Sequence, residues 1–181
     1  MSDDYSTNVD VDGDGTFDDV EYTHNDDGSV TITADMNNDG EVDFEATDEN
    51  ADGIVEEAYY DTDYDGKADE RWTDEDGDGY LTSVEMDRNE DGKLDGVGSD
   101  RNEDGKVDEA TLDNDYNGKA DTYVADDNFD GYVDTHGVDT DEDGELNKTV
   151  SDTDFDGTAD TERYGDPETN PVAGNAGNPG K

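Results

Sequence analysis

The stretch DRNEDGKLD (residues 87–95) recurs almost unchanged as DRNEDGKVD (residues 100–108), thirteen positions later. When similar segments of the form Asp-x-(Asp/Asn)-x-Asp-Gly are aligned on their glycines, the chain contains twelve of them. The period is 13 residues throughout, except for 12 between Gly28 and Gly40. A fixed period of this kind predicts a repeat protein. We number the positions of each repeat from its first aspartate, so that the glycine is position 6.

Each position of the repeat has its own chemistry. Position 1 is Asp except at Thr23, position 3 is Asp or Asn, and position 5 is Asp except at Asn117. Position 8 is always apolar, and position 9 is acidic in nine copies. Positions 1, 3, 5 and 9 carry 37 of the 58 acidic residues. The negative charge therefore lies at fixed places, which an acidic tract that only attracts water would not need.

The overall composition excludes several classes of protein. A net charge of −48 with only 27% hydrophobic residues predicts an expanded, disordered chain unless something neutralises it. Nucleic acids and anionic membranes are excluded as partners, because both repel such a chain. There is no cysteine for a disulfide framework, and no apolar run long enough for membrane insertion. No motif indicates catalysis, so we expect no enzyme and no catalytic residues.

The spacing of the acids predicts calcium loops. Oxygen ligands at positions 1, 3 and 5 converge on one cation if the chain curls tightly, and the glycine at position 6 permits that turn. The carbonyl of position 7 and the side chain of position 9 then complete a set of hard oxygen donors. Position 8 is expected to point away from the ion, into a core. Eleven Ca²⁺ would reduce the net charge from −48 to −26.

The predicted metal ligands are the oxygen-bearing side chains of these positions, with one acid at position 12. They are Asp10, Asp12, Asp14, Asp18, Asp35, Asn37, Asp39, Asp43, Asp48, Asn50, Asp52, Glu56, Asp61, Asp63, Asp65, Asp69, Asp74, Asp76, Asp78, Glu85, Asp87, Asn89, Asp91, Asp95, Asp100, Asn102, Asp104, Asp108, Asp113, Asp115, Asn117, Asp121, Asp126, Asn128, Asp130, Asp134, Asp139, Asp141, Asp143, Asp152, Asp154, Asp156 and Asp160. We expect about eleven Ca²⁺ sites, with lanthanide ions as an alternative. Asn117 and Asn147 mark weaker sites. The second repeat, with Thr23 and Thr31, is predicted to be the emptiest.

These loops resemble those of the EF-hand superfamily. They resemble more closely the helix-less tandem loops of thrombospondin type 3 repeats and of bacterial calcium-binding acidic-repeat proteins. The resemblance covers about 155 of the 181 residues, and it implies folding on calcium. Two features depart from the EF-hand: only Glu21 and Glu85 are acidic at position 12, and no helices flank the loops. Our hypothesis is that position 9, or the first aspartate of the neighbouring repeat, bridges successive ions.

The four residues between loops predict short strands, for example EEAYY at 56–60, TYVA at 122–125 and KTVS at 148–151. Small and large residues alternate at the last position of successive repeats, which gives a superperiod of 26 residues. The prediction is an all-β, loop-rich repeat, as a calcium-stabilised β-solenoid with two repeats per coil, analogous to a β-roll. The alternative is a thrombospondin-like calcium wrap without a regular sheet. The expected organisation is a lead over 1–9, the repeat domain over 10–164 and a Pro/Gly/Asn-rich tail over 165–181.

Two functions remain open from the sequence. The first is an extracellular structural, adhesive or filament-forming module that stacks on itself or binds a surface or matrix partner. The second is an intracellular high-capacity calcium buffer or sensor, or a lanthanide-binding protein. An extracellular or cell-surface location is expected although the first ten residues lack the features of a signal peptide. A cytoplasmic location is the alternative.

Overall fold

The structure is a computed structural model in which Val11 and residues 18–165 are described. These residues form twelve β-strands and no helix, so no helix among them could cross a membrane. The chain divides into two compact units, unit 1 (Met1–Gly92) and unit 2 (Lys93–Lys181). An all-β repeat is thus confirmed, with one strand after each loop.

Unit 1 contains six strands. They are β1 (Asp19–His24), β2 (Val30–Asp35), β3 (Phe44–Asp48), β4 (Glu57–Tyr60), β5 (Glu70–Thr73) and β6 (Ser83–Met86). Each strand pairs antiparallel with the next in sequence, so the unit is a meander.

The strand register gives the sheet of unit 1 an apolar and a polar face. Ala46, Ala58 and Trp72 stand directly opposite one another on β3, β4 and β5, and all three are buried. On the other face, Arg71 donates hydrogen bonds to Glu57 at 2.5 Å and to Glu85 at 2.8 Å. These two acceptors raise the pKa of Arg71. Val84 on β6 continues the row of Ala46, Ala58 and Trp72. The other buried hydrophobic residues of the described part of unit 1 lie on the same face, since alternate residues of a strand point to opposite faces. They are Val30, Ala34 and Met86.

Unit 2 also contains six strands in a meander. They are β7 (Gly96–Ser99), β8 (Glu109–Leu112), β9 (Thr122–Ala125), β10 (Thr135–Val138), β11 (Lys148–Ser151) and β12 (Thr161–Tyr164).

The interior of unit 2 is thin. Among residues 93–165, its buried hydrophobic residues are Ala110 and Ala125. The side chain of Leu146 lies over Gly137 of β10, and a Cβ at that glycine would come within 2.7 Å of a Leu146 methyl carbon. Small residues in the strands therefore leave room for side chains that fold over from the loops.

The three strands anticipated from the sequence are confirmed as β4, β9 and β11. The connection between strands differs from the predicted solenoid. In a β-roll, strands two apart in sequence would stack in parallel, whereas here consecutive strands pair antiparallel. A meander also contains two strands and two loops in every 26 residues, so the alternation of large and small residues does not distinguish the two layouts. The regular strand pairing also differs from the alternative prediction, a thrombospondin-like wrap without a regular sheet.

Position 8 does not form a uniform core. Val42, Leu94 and Val133 are 52%, 48% and 57% exposed, whereas Val30 of the second repeat is fully buried. Eleven of the described strands begin at position 10, but β2 begins at position 8. Position 8 is therefore in the sheet in the second repeat and beside a loop in the others.

Replacing Trp72, which is 8% exposed, with alanine is expected to destabilise unit 1 by about 3 kcal/mol, because it removes the largest side chain of the buried row. The measurement is urea denaturation followed by circular dichroism at fixed calcium concentration. Tyr80→Ala is the matched control, since Tyr80 is 51% exposed, and its cost is expected to stay below about 0.5 kcal/mol. Equal costs for the two variants would contradict the assignment of the core.

Candidate metal centre

Ten loops, those of repeats 3 to 12, share one backbone conformation. The glycine at position 6 has a φ between 84° and 99° in each. Position 4 is also left-handed, with φ between 55° and 64° where it is not glycine. The position 4 residues are Asn38, Ala51, Tyr64, Gly77, Glu90, Glu103, Tyr116, Phe129, Glu142 and Phe155. Left-handed residues are rare outside glycine, so their recurrence at one position indicates a loop geometry that every repeat reproduces.

The aspartate at position 1 closes each loop by accepting hydrogen bonds from its backbone. In the tenth loop (126–134), Asp126 accepts from the N–H groups of Phe129 and Gly131, both at 2.7 Å. The same bond from the position 6 glycine is 2.7 Å long at Asp61 and 2.9 Å long at Asp48. The position 1 carboxylate therefore lies inside the curl of its own loop.

The residue at position 9 closes the loop from the other side. Asp134 accepts hydrogen bonds from the N–H groups of Asp127 at 2.9 Å and Asn128 at 3.1 Å. Glu56, with a longer side chain, still accepts from the N–H of Glu49 at 2.7 Å. Positions 1 and 9 thus approach the same loop from opposite ends.

Positions 3 and 5 lie on the solvent side of the loop. Asn128 accepts from the N–H of Asp130 at 2.9 Å, and Asp130 accepts from the N–H of Tyr132 at 3.0 Å. These bonds hold both side chains over the loop and leave their remaining lone pairs available.

Several predicted ligand sets are brought together. One carboxylate oxygen from each member lies within 4.8 Å of the others in each group. These groups are Asp48, Asp52 and Glu56; Asp61, Asp63 and Asp69; Asp74, Asp76 and Asp78; and Asp113, Asp115 and Asp121. Asp63 and Asp65 form a further group with Glu90, which belongs to the loop two repeats later.

Other predicted ligands are placed differently. Asp10, Asp12 and Asp14 lie outside the described residues, while Asp18 accepts from the N–H of Val11 at 2.7 Å. Glu85 lies in β6, where its carboxylate accepts the hydrogen bond from Arg71. This acid at position 12 therefore forms an ion pair with Arg71 on the polar face of the unit 1 sheet.

Asn147 is the residue that sequence reasoning undervalued. It occupies position 9 of the eleventh repeat and is 1% exposed. Its Oδ1 accepts hydrogen bonds from the N–H and the hydroxyl of Thr140 and from the N–H of Asp141. An amide oxygen accepts these bonds as a carboxylate does, so its fixed position was a better signal than its lack of charge.

The second repeat folds as a tight hairpin instead of a loop. The N–H of Asn25 donates to the carbonyl of Ser29 at 2.9 Å, and Thr23 pairs with Thr31 across the β1–β2 ladder. Positions 1 and 9 are therefore sheet residues here. The structure separates this repeat from the ten described loops of repeats 3 to 12, and its being the emptiest of metal stays a prediction.

Carboxylates and one amide make up all the buried polar side chains of the described residues. There are fourteen, and each occupies position 1 or position 9. They are Asp18, Asp43, Asp48, Asp61, Asp69, Asp95, Asp100, Asp108, Asp113, Asp126, Asp134, Asp139, Asn147 and Asp152. Nine hydrophobic residues are buried in the same described part of the chain. The interior is thus formed as much by acidic groups as by hydrocarbon.

Opposing effects act on the pKa values of these aspartates. Burial raises the pKa of Asp126, but the N–H groups of Gly131 and Phe129 outweigh it and hold the pKa below the usual 3.8. The ionised form of Asp126 thus adds stability above that pH, which is lost as the pH falls through the lowered pKa. At Asp69 burial outweighs the bonds from Thr62 and raises the pKa. Asp69 therefore contributes stability below pH 3.8, which is lost as the pH rises through the raised value.

No family model, curated protein or solved structure matches this chain.

The fourth loop offers a test of the shared backbone geometry. Ala51→Gly is expected to raise the free energy of unfolding by about 0.5 kcal/mol. Glycine removes the cost of the left-handed conformation at this position, and this gain exceeds the loss from the higher conformational entropy of the unfolded chain. Gly53→Ala is expected to lower the free energy of unfolding by about 1 kcal/mol, because alanine disfavours the positive φ of this position. A Cβ at Gly53 would meet no atom within 4 Å, so steric crowding does not contribute. Urea denaturation measures both, and the same sign for both variants would contradict the geometry.

Proposed function

We propose that this chain is a calcium-binding repeat protein that folds on binding Ca²⁺ and serves as an extracellular structural or adhesive module. The observation that carries the proposal is the burial of an acidic group, or its amide equivalent, at position 1, position 9 or both in nine of the ten loops of repeats 3 to 12. Burying like charges is costly unless they are compensated. A cation within each loop supplies that compensation.

Lysine and arginine side chains form ion pairs with acids other than the buried aspartates, so these pairs do not compensate the buried charge. Lys119 lies 3.5 Å from Glu142, Lys148 pairs with Glu162, and Arg71 pairs with Glu57 and Glu85. These acids lie at positions 4, 10, 11 and 12, in a loop or in strands, and none of them is at position 1 or 9. With ten Lys and Arg against 58 acids, the buried aspartates depend on another source of positive charge.

The donor set suits calcium. Every candidate ligand is an oxygen, and hard oxygen donors from carboxylates, amides and carbonyls are what Ca²⁺ binds. An ionised carboxylate has about four acceptor sites, so Asp126 can accept its backbone bonds and still ligate an ion. In the tenth loop the ion would be held by Asp126, Asn128, Asp130 and Asp134. Bound calcium would neutralise these groups and hold the two ends of the loop together.

The proposed extracellular role rests on the calcium concentration that sites of this kind need to fill. Extracellular modules bind calcium with Kd values of about 10⁻⁴–10⁻³ M. At about 10⁻³ M calcium, a site with a Kd of about 10⁻⁴ M adds about 1.4 kcal/mol to the folded state. Titration calorimetry separates this role from the alternatives. Kd values near 10⁻⁷ M would favour a buffer or sensor, and far tighter binding of terbium would favour a lanthanide protein.

Calcium removal tests the proposal directly. We expect EDTA to abolish the β-sheet circular dichroism signal, and back-titration with calcium to restore it with a stoichiometry of about eleven. The reason is that the stripped loops would retain uncompensated buried charge. A stripped protein with unchanged dichroism and protease resistance would overturn the proposal.

Two matched variants test whether the loops are the sites. Asp52 and Asp27 both occupy position 5, but Asp52 belongs to a loop and Asp27 to the hairpin of the second repeat. Asp52→Ala is expected to remove or weaken one calcium site, since it deletes a ligand oxygen. Asp27→Ala is expected to leave the stoichiometry unchanged. Calorimetry reads both, and equal losses would show that binding follows net charge alone.

A further inference from the structure

Loops two repeats apart lie at the same edge of the sheet, because connections in an antiparallel meander alternate between its two edges. In unit 2 the eighth (100–108), tenth (126–134) and twelfth (152–160) loops share one edge, and we call them the even column. The ninth (113–121) and eleventh (139–147) loops share the other edge and form the odd column.

Loops in one column are joined by a backbone hydrogen bond between the residues that close them. In the even column the N–H of Asp126 donates to the carbonyl of Asp108 at 2.7 Å, and that of Asp152 to the carbonyl of Asp134 at 2.8 Å. In the odd column the N–H of Asp139 donates to the carbonyl of Asp121 at 2.8 Å. Position 9 of one loop is thus bonded to position 1 of the loop two repeats later, not to that of the next repeat.

Side chains reinforce the even column. Arg101 of the eighth loop donates to the carbonyl of Asp126 at 2.8 Å, and its guanidinium lies 5.4 Å from the centre of the Phe129 ring. This places a cation against the tenth loop from its column neighbour. Phe129 is also the left-handed position 4 residue of that loop.

A similar bridge crosses the odd column. Glu142 of the eleventh loop accepts a hydrogen bond from Asn117 at 2.8 Å, and its carbonyl accepts one from Lys119 at 3.1 Å. Asn117 and Lys119 belong to the ninth loop.

The space between column neighbours is lined by both loops. A cavity of about 140 Å³ lies between the eighth and tenth loops, where Val107 and Asp108 face Asp126 and Gly131. A cavity of about 360 Å³ repeats this arrangement between the tenth and twelfth loops. The groups that would hold an ion in one loop thus form a wall shared with the next loop of the column.

Loops of opposite columns are connected through a strand. The ninth and tenth loops, for example, are joined by the four residues of β9 (Thr122–Ala125). Ordering one of these loops fixes the end of a strand, whereas ordering a column neighbour fixes a direct hydrogen-bonding partner of a ligand residue.

We propose that calcium loading of unit 2 is coupled along each column, so that a filled loop stabilises the loops two repeats away more than the loops next to it in sequence. This inference rests on the proposed function. Its physical basis is that position 9 of a filled loop presents a fixed carbonyl to position 1 of the next loop in the column. Repeat proteins propagate order through nearest neighbours, and here the nearest neighbours in space are second neighbours in sequence.

Each loop contains its own reporter. The N–H of the position 6 glycine donates to the position 1 aspartate in all five loops, at 2.7 Å for Gly105, 2.6 Å for Gly118, 2.7 Å for Gly131, 2.9 Å for Gly144 and 2.7 Å for Gly157. Amide hydrogen exchange at these glycines therefore measures the opening of individual loops.

The experiment compares two position 5 variants of the full chain at saturating calcium. Asp130→Ala disables the tenth loop, and Asp143→Ala disables the eleventh; both aspartates are exposed. Asp130→Ala is expected to speed amide exchange about tenfold at Gly105 and Gly157, which is the effect of losing about one hydrogen bond. Exchange at Gly118 and Gly144 is expected to stay within about twofold of the parent protein. Asp143→Ala is expected to speed exchange at Gly118 and to spare Gly105 and Gly157.

Acceleration at all four glycines alike, or at none, would overturn the coupling. If Asp130→Ala unfolds the unit, Asp130→Asn keeps the shape and one oxygen, and the same pattern is expected at smaller amplitude. The failure of the proposed function looks different: calcium added to EDTA-treated parent protein would then shift none of the glycine amide resonances. If calcium shifts the glycine resonances but the two variants do not change exchange selectively within a column, the proposed function stands and the coupling is rejected.

Discussion

The structure depends on the burial of position 1 and position 9 aspartates in loops that offer them neutral donors, which are backbone amides and, at some loops, a side chain such as the Thr62 hydroxyl that donates to Asp69. Each pair closes a nine-residue loop from both ends, as Asp126 and Asp134 do in the tenth loop. Backbone N–H groups satisfy part of the acceptor capacity of these carboxylates and lower the pKa of Asp126. They do not cancel its charge, and the proposed cations would supply the compensation that a polyanion with a small apolar core otherwise lacks.

This constraint also explains why the strands can be short and poor in large residues. Isolated short hairpins are marginally stable in water, and the buried row of unit 1 is completed by alanines such as Ala46 and Ala58. A left-handed residue at position 4 and a glycine at position 6 fix each loop so that four residues suffice for the next strand. The loops therefore define the geometry, and the strands join them.

The sequence predicted those features that are local. The acidic positions, the glycine turn and the strand segments around Tyr59, Val124 and Val150 were all visible in a thirteen-residue window. The pairing of strands was not, because a 26-residue alternation is the same for coils and for a meander. Asn147 was assigned to a weaker site because charge was weighed above position, and Glu85, which was included as a ligand, accepts a hydrogen bond from Arg71 in the structure. The left-handed conformation of Phe129 and Tyr116 had no sequence signal at all, since neither residue favours it.

The one shortened repeat shows how closely sheet and loops are linked. In the regular repeats the ladder extends one residue beyond each strand, so that the N–H of Asp61 reaches the carbonyl of Asp43 and position 9 meets position 1. The second repeat lacks one residue, and there Asp48 stands opposite Val30, which is position 8. The deletion therefore shifts the register so that an apolar residue stands in the sheet, where it is fully buried, and this repeat, which also has threonine at positions 1 and 9, forms a hairpin. Because the loss of one residue shifts the ladder by one position, the period of thirteen is what keeps position 9 opposite position 1 and the loops in step with the sheet register.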